Sequence, residues 1–403
     1  MAQLDRPLKR PSPCQRARTV AGRLLCTLCT FLACLLGAKH AMALKPQKTH
    51  EDRLAGPHIP GEGGLQTPEP QPGFDYKLFP LAGYTPKTSF AFGGIGLLHF
   101  DMPGEAGQQS SANLIGVYGL NNLFLARLKW ELALQDEDWL LRGKTRGGIW
   151  SNDFYGMGHF ADSHHNAFES TYVKNRFGLR RRLFGVDELY AGLFHELQFR
   201  SIDSQPDSLL AAEQPTGFQG GRLAGLGLEF VWDERDSEYA PRDGWYAETS
   251  FTGYAGFLGS EYGFWHYELD GRRYFNLGND HSIGLRGLFE WQGGDVPFWE
   301  MTTLGGSKQN RGINKGRFRD TTLLSTQLEY RTPVIWDWLG FSTFASLGTV
   351  GDDVGDLFTT GPRWTLGGGP RFYLDADRDV AIRIDVGFSR DNIGVIFSLG
   401  EAF

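Results

Sequence analysis

What most limits this sequence is a short alternation of apolar and polar residues that recurs along most of its length. In 322–331, Leu324, Thr326, Leu328 and Tyr330 interleave with Leu323, Ser325, Gln327, Glu329 and Arg331. A strand there shows one largely apolar side and one carrying an amide, an acid and a base. In 381–389, Ile382, Ile384, Val386 and Phe388 oppose Arg383, Asp385, Gly387 and Ser389, and in 282–291, Ile283, Leu285, Phe289 and Trp291 oppose Arg286 and Glu290. The same period runs through 122–134, 171–184 and 188–200. After residue 43 no stretch holds ~18 consecutive apolar residues, which excludes a helical membrane protein.

A secreted β-sandwich or soluble barrel also alternates. Two features argue for a membrane instead. The expected strands, mostly about 9 to 13 residues, match a tilted bilayer crossing. Their ends carry aromatics (Phe90, Phe92 and Phe100; Trp130 and Trp139; Trp245 and Tyr246; Phe264 and Trp265; Trp336 and Trp338), as interfacial girdles require. The 54 Gly and 14% aromatic residues suit strands and turns. The fold class is therefore all-β, a transmembrane antiparallel β-barrel. About 15 strands are countable between residues 88 and 403, and because such barrels carry an even number, 16 are expected, with 14 as the alternative. The uncounted strand is expected before residue 120.

Residues 1–43 read as a signal peptide: Arg6, Lys9, Arg10, Arg16, Arg18 and Arg23 precede the apolar run 24–37, and Ala41-Met42-Ala43 fits a cleavage site. All four cysteines lie in this segment, so cleavage leaves neither disulfides nor a thiol nucleophile. It also removes seven of 40 basic and one of 47 acidic residues, moving the net charge from -7 to -13, which disfavours nucleic acid as a partner. Residues 44–75, rich in Pro, Gly and charge, read as a disordered periplasmic leader. Residues 76–403 form the barrel.

The last segment, 392–403, sets Val395, Phe397 and Leu399 on one side of a strand and small residues on the other. Lipid cannot bond a sheet edge, so this strand must close a ring, with Phe403 expected at the periplasmic interface. Asn392, Gly394, Phe397, Leu399 and Phe403 also resemble the C-terminal β-signal of outer-membrane barrels.

Several motifs resemble the bacterial surface antigen family, the barrel domain of BamA/TamA-type proteins. They are Gly305-Gly306 with Arg311-Gly312, Gly316 to Asp320, Glu329-Tyr330-Arg331-Thr332-Pro333, Asp233-x-Arg235-Asp236 with Pro241-x-x-Gly244, and the stretch 80–94. Two positions depart from the pattern: Ile313 stands where the family has an aromatic, and Ser346 where it has an acid. The resemblance implies a member without the large periplasmic (POTRA) modules, in the outer membrane of a Gram-negative cell. It implies a long extracellular loop, 294–320, folded into the lumen. An Arg311–Glu329 lock is expected there, with Ser346 as a neutral neighbour.

The implied function is assistance in protein insertion or translocation through a lateral seam between the first and last strands. Gly93, Gly94 and Gly96 would soften one edge, and Gly394 and Gly400 the other. The implied partners are membrane lipid, the barrel assembly machinery during biogenesis, and a separate periplasmic protein. The alternative is a passive channel or a structural surface protein, with Lys174, Arg176, Arg180 and Arg182 as a basic ladder for anions. No Gly-x-Ser-x-Gly elbow or nucleophile with a base is present, so no enzyme is expected. His159, Asp162, His164 and His165 crowd one loop, and Asp375, Asp377 and Asp379 alternate, but neither spacing suits a closed site, so no metal or cofactor is expected.

Overall fold

The computed structural model describes residues 74–85, 89–101, 109–121, 123–134, 138–159, 165–374, 381–390 and 392–403. The expected signal peptide and leader lie almost wholly outside them.

Sixteen strands form one antiparallel sheet in which nearly every strand pairs with its neighbours in sequence. They are β1 (Phe74–Thr85), β2 (Ser89–Asp101), β3 (Gln109–Gly119), β4 (Leu123–Leu134), β5 (Trp139–Phe154), β6 (Asn166–Arg182), β7 (Leu189–Ser204), β8 (Gly220–Asp233), β9 (Gly244–Tyr254), β10 (Phe264–Gly278) and β11 (His281–Gly294), then β14 (Thr322–Arg331), β15 (Leu339–Gly351), β16 (Arg363–Tyr373), β17 (Ala381–Ser389) and β18 (Ile393–Leu399). Between β11 and β14, β12 (Thr302–Leu304) and β13 (Phe318–Asp320) make a separate hairpin. The strand that counting missed is β1, and it lies before residue 120 as expected. Pro80 and Gly83 disguise it as a turn. Pro80 is tolerated because β1 ends the sheet order and, among the described residues, pairs with β2 alone.

Alternation decides which way each side chain points. In β8, Leu226, Leu228, Phe230 and Trp232 are about half exposed, whereas Glu229 and Val231 between them are buried. The sheet curls so that its inward face meets itself across the interior. Arg363 of β16 donates to the His159 carbonyl after β5 (2.7 Å), and Lys129 of β4 pairs with Glu238 in the turn after β8. No described helix is long and apolar enough to cross a membrane; the strands cross it.

Aromatics gather at both rims of the outward face. Trp232, Trp245, Trp336 and Trp338 lie at the rim of the short turns, with Trp336 stacked on Trp338 at 5.9 Å. At the opposite rim Trp265 meets Trp291 edge-on at 4.7 Å. Two expected girdle residues point inward instead, because neighbours in a strand face opposite ways: Tyr246 bonds Glu248, and Phe264 stacks on Tyr254 at 4.3 Å.

Candidate functional site

The loop joining β11 to β14, residues 295–321, occupies the interior and is fastened by three apolar clusters. Leu304, Ile313 and Phe318 pack on Leu288, Leu323 and Val350; Phe298 packs on Phe154, Phe168 and Leu210; Val296 packs on Leu223, Tyr254 and Phe264. Each such side chain contributes about 1.5–3 kcal/mol when fully buried. Ile313 thus fills an apolar seat, an adequate use of the position where the sequence departs from its expected aromatic.

At the loop tip Arg311 is fully buried. Its Nη2 donates to Glu329 of β14 at 2.5 Å, its Nη1 donates to Asp385 of β17 at 2.9 Å, and its guanidinium lies 3.6 Å from the Phe344 ring centre of β15. The expected Arg311–Glu329 pair is therefore formed, in the dry regime where breaking a partner is expensive. The expected role of Ser346 is not what the geometry gives: its hydroxyl bonds Thr365 at 2.7 Å, and the second acid on Arg311 is Asp385. Asp385 lies on the polar side of 381–389, two strands beyond β15, so pairing it with the loop needs three-dimensional knowledge.

The chain must come unusually close to the wall to deliver Arg311. Gly312 sits at φ +112°, and a β-carbon there would stand 2.7 Å from the Gly387 carbonyl carbon. A β-carbon on Gly387 would stand 2.4 Å from the Arg311 oxygen. The Arg-Gly pair therefore joins a charged anchor to the one residue type that lets backbone lie on backbone.

Around this pair the acids and bases form one network. Glu329 also accepts from Arg331 at 2.8 Å, Asp385 accepts from Arg371 at 2.6 Å, and Arg383 donates to the Ser307 carbonyl at 2.6 Å.

Residues 195–372 match the Omp85 superfamily domain. That stretch is similar to the domain of this superfamily. The barrel is of the BamA/TamA type, an outer-membrane fold. Among solved structures it is similar to BamA from Haemophilus ducreyi lacking POTRA domains 1–3, at TM-score 0.53 and 12% identity, covering 82% of this chain and 69% of that one. It is also similar to CdiB from Escherichia coli, at TM-score 0.50 and 14% identity, covering 83% of this chain and 62% of that one. CdiB from Acinetobacter baumannii matches at TM-score 0.49 and 13% identity over 81% of this chain and 58% of its own. This chain thus spans about three fifths of the length of either CdiB. No curated protein matches it.

In this barrel the remaining motif residues build supports. Arg235 clamps Asp233 with two bonds of 2.7 Å, and Asp236 accepts the amides of Arg242 and Asp243 at 2.9 and 3.1 Å, shaping the turn after β8. Arg331 is the hub beneath the lock. Besides Glu329 it donates to the Pro241 carbonyl of that turn at 2.7 Å and to the Phe403 oxygen at 2.8 Å. Asp320 caps its own hairpin, accepting from the Thr321 amide at 2.9 Å, while its backbone oxygen accepts from Thr302. Burial pushes its carboxyl up to about 6, opposed by the Thr321 amide and assisted by Asp352 and Asp356. Gly305 and Gly306 hold positive φ around the turn that returns to Ile313.

The β-signal residues divide. Phe397 is outward and exposed like Val395, as expected, and Asn392 donates to Asn314 of the loop at 2.9 Å. Gly394 faces Gly312, and Leu399 ends β18. Phe403 is not at the lipid interface. Gly400 takes φ +70° and turns the chain inward, so Phe403 is buried with its ring 6.3 Å from Tyr274.

The expected basic ladder is neutralised. Lys174 meets Glu196 and Glu300, each at 3.0 Å, and Arg176 meets Glu229 at 2.7 Å. Arg180 meets Glu229 at 2.5 Å, and Arg182 meets Asp187 at 3.0 Å. Asp162, His164 and the Asp375, Asp377 and Asp379 run lie outside the described residues; His159 lies near the Thr349 hydroxyl (3.4 Å), and His165 stacks on Tyr155. Among the described residues one other group, His266, Glu268 and Glu290, brings metal-type donors within 4.8 Å of one another.

Proposed function

We propose that this barrel assists the insertion or translocation of polypeptides at the outer membrane through a lateral seam between β1 and β18, reached after export on the signal peptide 1–43. The observation that carries this reading is where the lumen loop bears on the wall. Arg311 ties it to Asp385 of β17, and Gly312 rests on Gly387 of β17 and beside Gly394 of β18, so the loop braces the strands at one end of the sheet. The opposite edge is β1, not the 88–100 strand: Gly93, Gly94 and Gly96 belong to β2, and Pro80, which has no N–H to give, is the weak point of β1. The barrel assembly machinery inserts the chain, and a separate periplasmic protein delivers its substrates.

The test is a disulfide between one cysteine placed in Tyr76–Phe79 and one in Val395–Phe397, in cells depleted of the native protein. Oxidation should abolish recovery of the outer-membrane proteome, and reduction should restore it; full recovery with the bond formed would overturn the seam. A lumen filled by 295–321 also predicts small, unstable conductance in planar bilayers. Steady large conductance would favour the passive channel.

A further inference from the structure

Cations on the inward face differ in whether they meet an acid. Lys129, Arg142, Lys174, Arg176 and Arg180 each meet a carboxylate, as do Arg272 and Arg286, which share Asp270. Arg127, Lys144, Arg146 and Lys308 meet none among the described residues. Register places the wall members together. Arg127 stands directly opposite Arg146, and Lys144 stands opposite both Lys129 on β4 and Arg176 on β6. Directly opposed side chains lie ~5 Å apart at Cβ, where like charges destabilise a sheet. Lys308 comes from the lumen loop and senses Arg127 along with Arg286, Arg272 and Arg383; burial first, then these charges, holds its ammonium down to about 8. All four side chains keep accessible surface although the barrel wall encloses and partly desolvates them, so they line space inside the wall.

We propose that Arg127, Lys144, Arg146 and Lys308 form a lumen site for a soluble, multivalent oxyanion of the phosphate class. Four converging cations need more than one negative charge at one point, which a phosphate group supplies and a single carboxylate does not. Two opposed guanidinium forks match oxyanion geometry, whereas chloride offers no such match. The wall cations beside them, Lys129, Lys174 and Arg176, are neutralised by acids, whereas Arg200 and the loop's Lys315 and Arg319 also meet no carboxylate among the described residues and add to the positive field around Arg146. Lys308 reaches the site from the same loop that carries Arg311, and the site does not depend on the seam.

The test uses the full mature chain refolded in detergent, with pyrophosphate as the probe and sodium chloride at matched ionic strength as the control. Pyrophosphate should raise the melting temperature saturably, and Arg127→Gln with Arg146→Gln should weaken the apparent affinity ~10-fold or more. Heat-modifiable gel mobility establishes that the double variant is folded. If it is not, Lys308→Gln, on the loop, serves in its place and should weaken binding in the same direction. An equal shift from chloride, or an undiminished pyrophosphate response in the folded variant, would overturn the site.

Discussion

Two stretches of the inner wall obey the same alternation and end in opposite physical states. On β14 and β17, Glu329, Arg331, Arg383 and Asp385 are almost fully buried and joined acid to base. On β4 and β5, Arg127, Lys144 and Arg146 are exposed to interior space and unpaired among the described residues. Sequence pattern is the same; the loop is the difference. It lays Leu304, Ile313 and Phe318 against β11, β14 and β15 and displaces water there. A polar strand face therefore becomes an electrostatic lock or a wet basic surface according to what packs on it.

The sharpest break in that comparison is Glu329→Gln. It leaves Arg311 and Arg331 buried with one charge fewer, and we expect a loss of about 3–5 kcal/mol in urea unfolding of the detergent-refolded barrel. The loop should become protease-sensitive in the same variant. Unchanged unfolding would mean the dry network does not hold the loop.

Phe403→Ala comes next, at about 3 kcal/mol, because the ring is buried against Tyr274 and beneath Arg331. It reports on the inward turn rather than on the loop, so protease sensitivity should appear near the turn after β8. Gly312→Ala should cost about 2 kcal/mol, from a β-carbon pressed on Gly387 and a positive φ imposed on alanine. If Gly387→Ala costs a similar amount and the double variant shows non-additivity, the two glycines share one contact.

How much of this was legible depends on how far a residue's partner lies along the chain. Strand faces follow from a period of two, so the barrel and the outward Leu226, Leu228 and Phe230 are readable from local pattern. The pair Arg311–Glu329 spans 18 positions and carries motif information, and it forms. Asp385 is 74 positions from Arg311, and only the loop's path across β15 brings it near. Phe403 escapes a strand reading because one positive φ at Gly400 ends the alternation four residues early. The unpaired cations on β4 and β5 were visible as residues, but their isolation depends on register and on where wall acids reach.

The gentlest test lies on the wet side. Arg146→Gln removes a cation that makes no ion pair among the described residues and stands opposite Arg127, so no buried bond is broken and one like-charge contact is relieved. Stability should change by less than about 0.5 kcal/mol, toward stabilisation. Added salt should shrink whatever difference exists, because charges facing water are screened within about 10 Å at ordinary ionic strength. The Glu329→Gln loss should persist in the same salt series. A large, salt-independent penalty at Arg146 would mean that this stretch is as dry as the loop side and that the loop is not what separates the two.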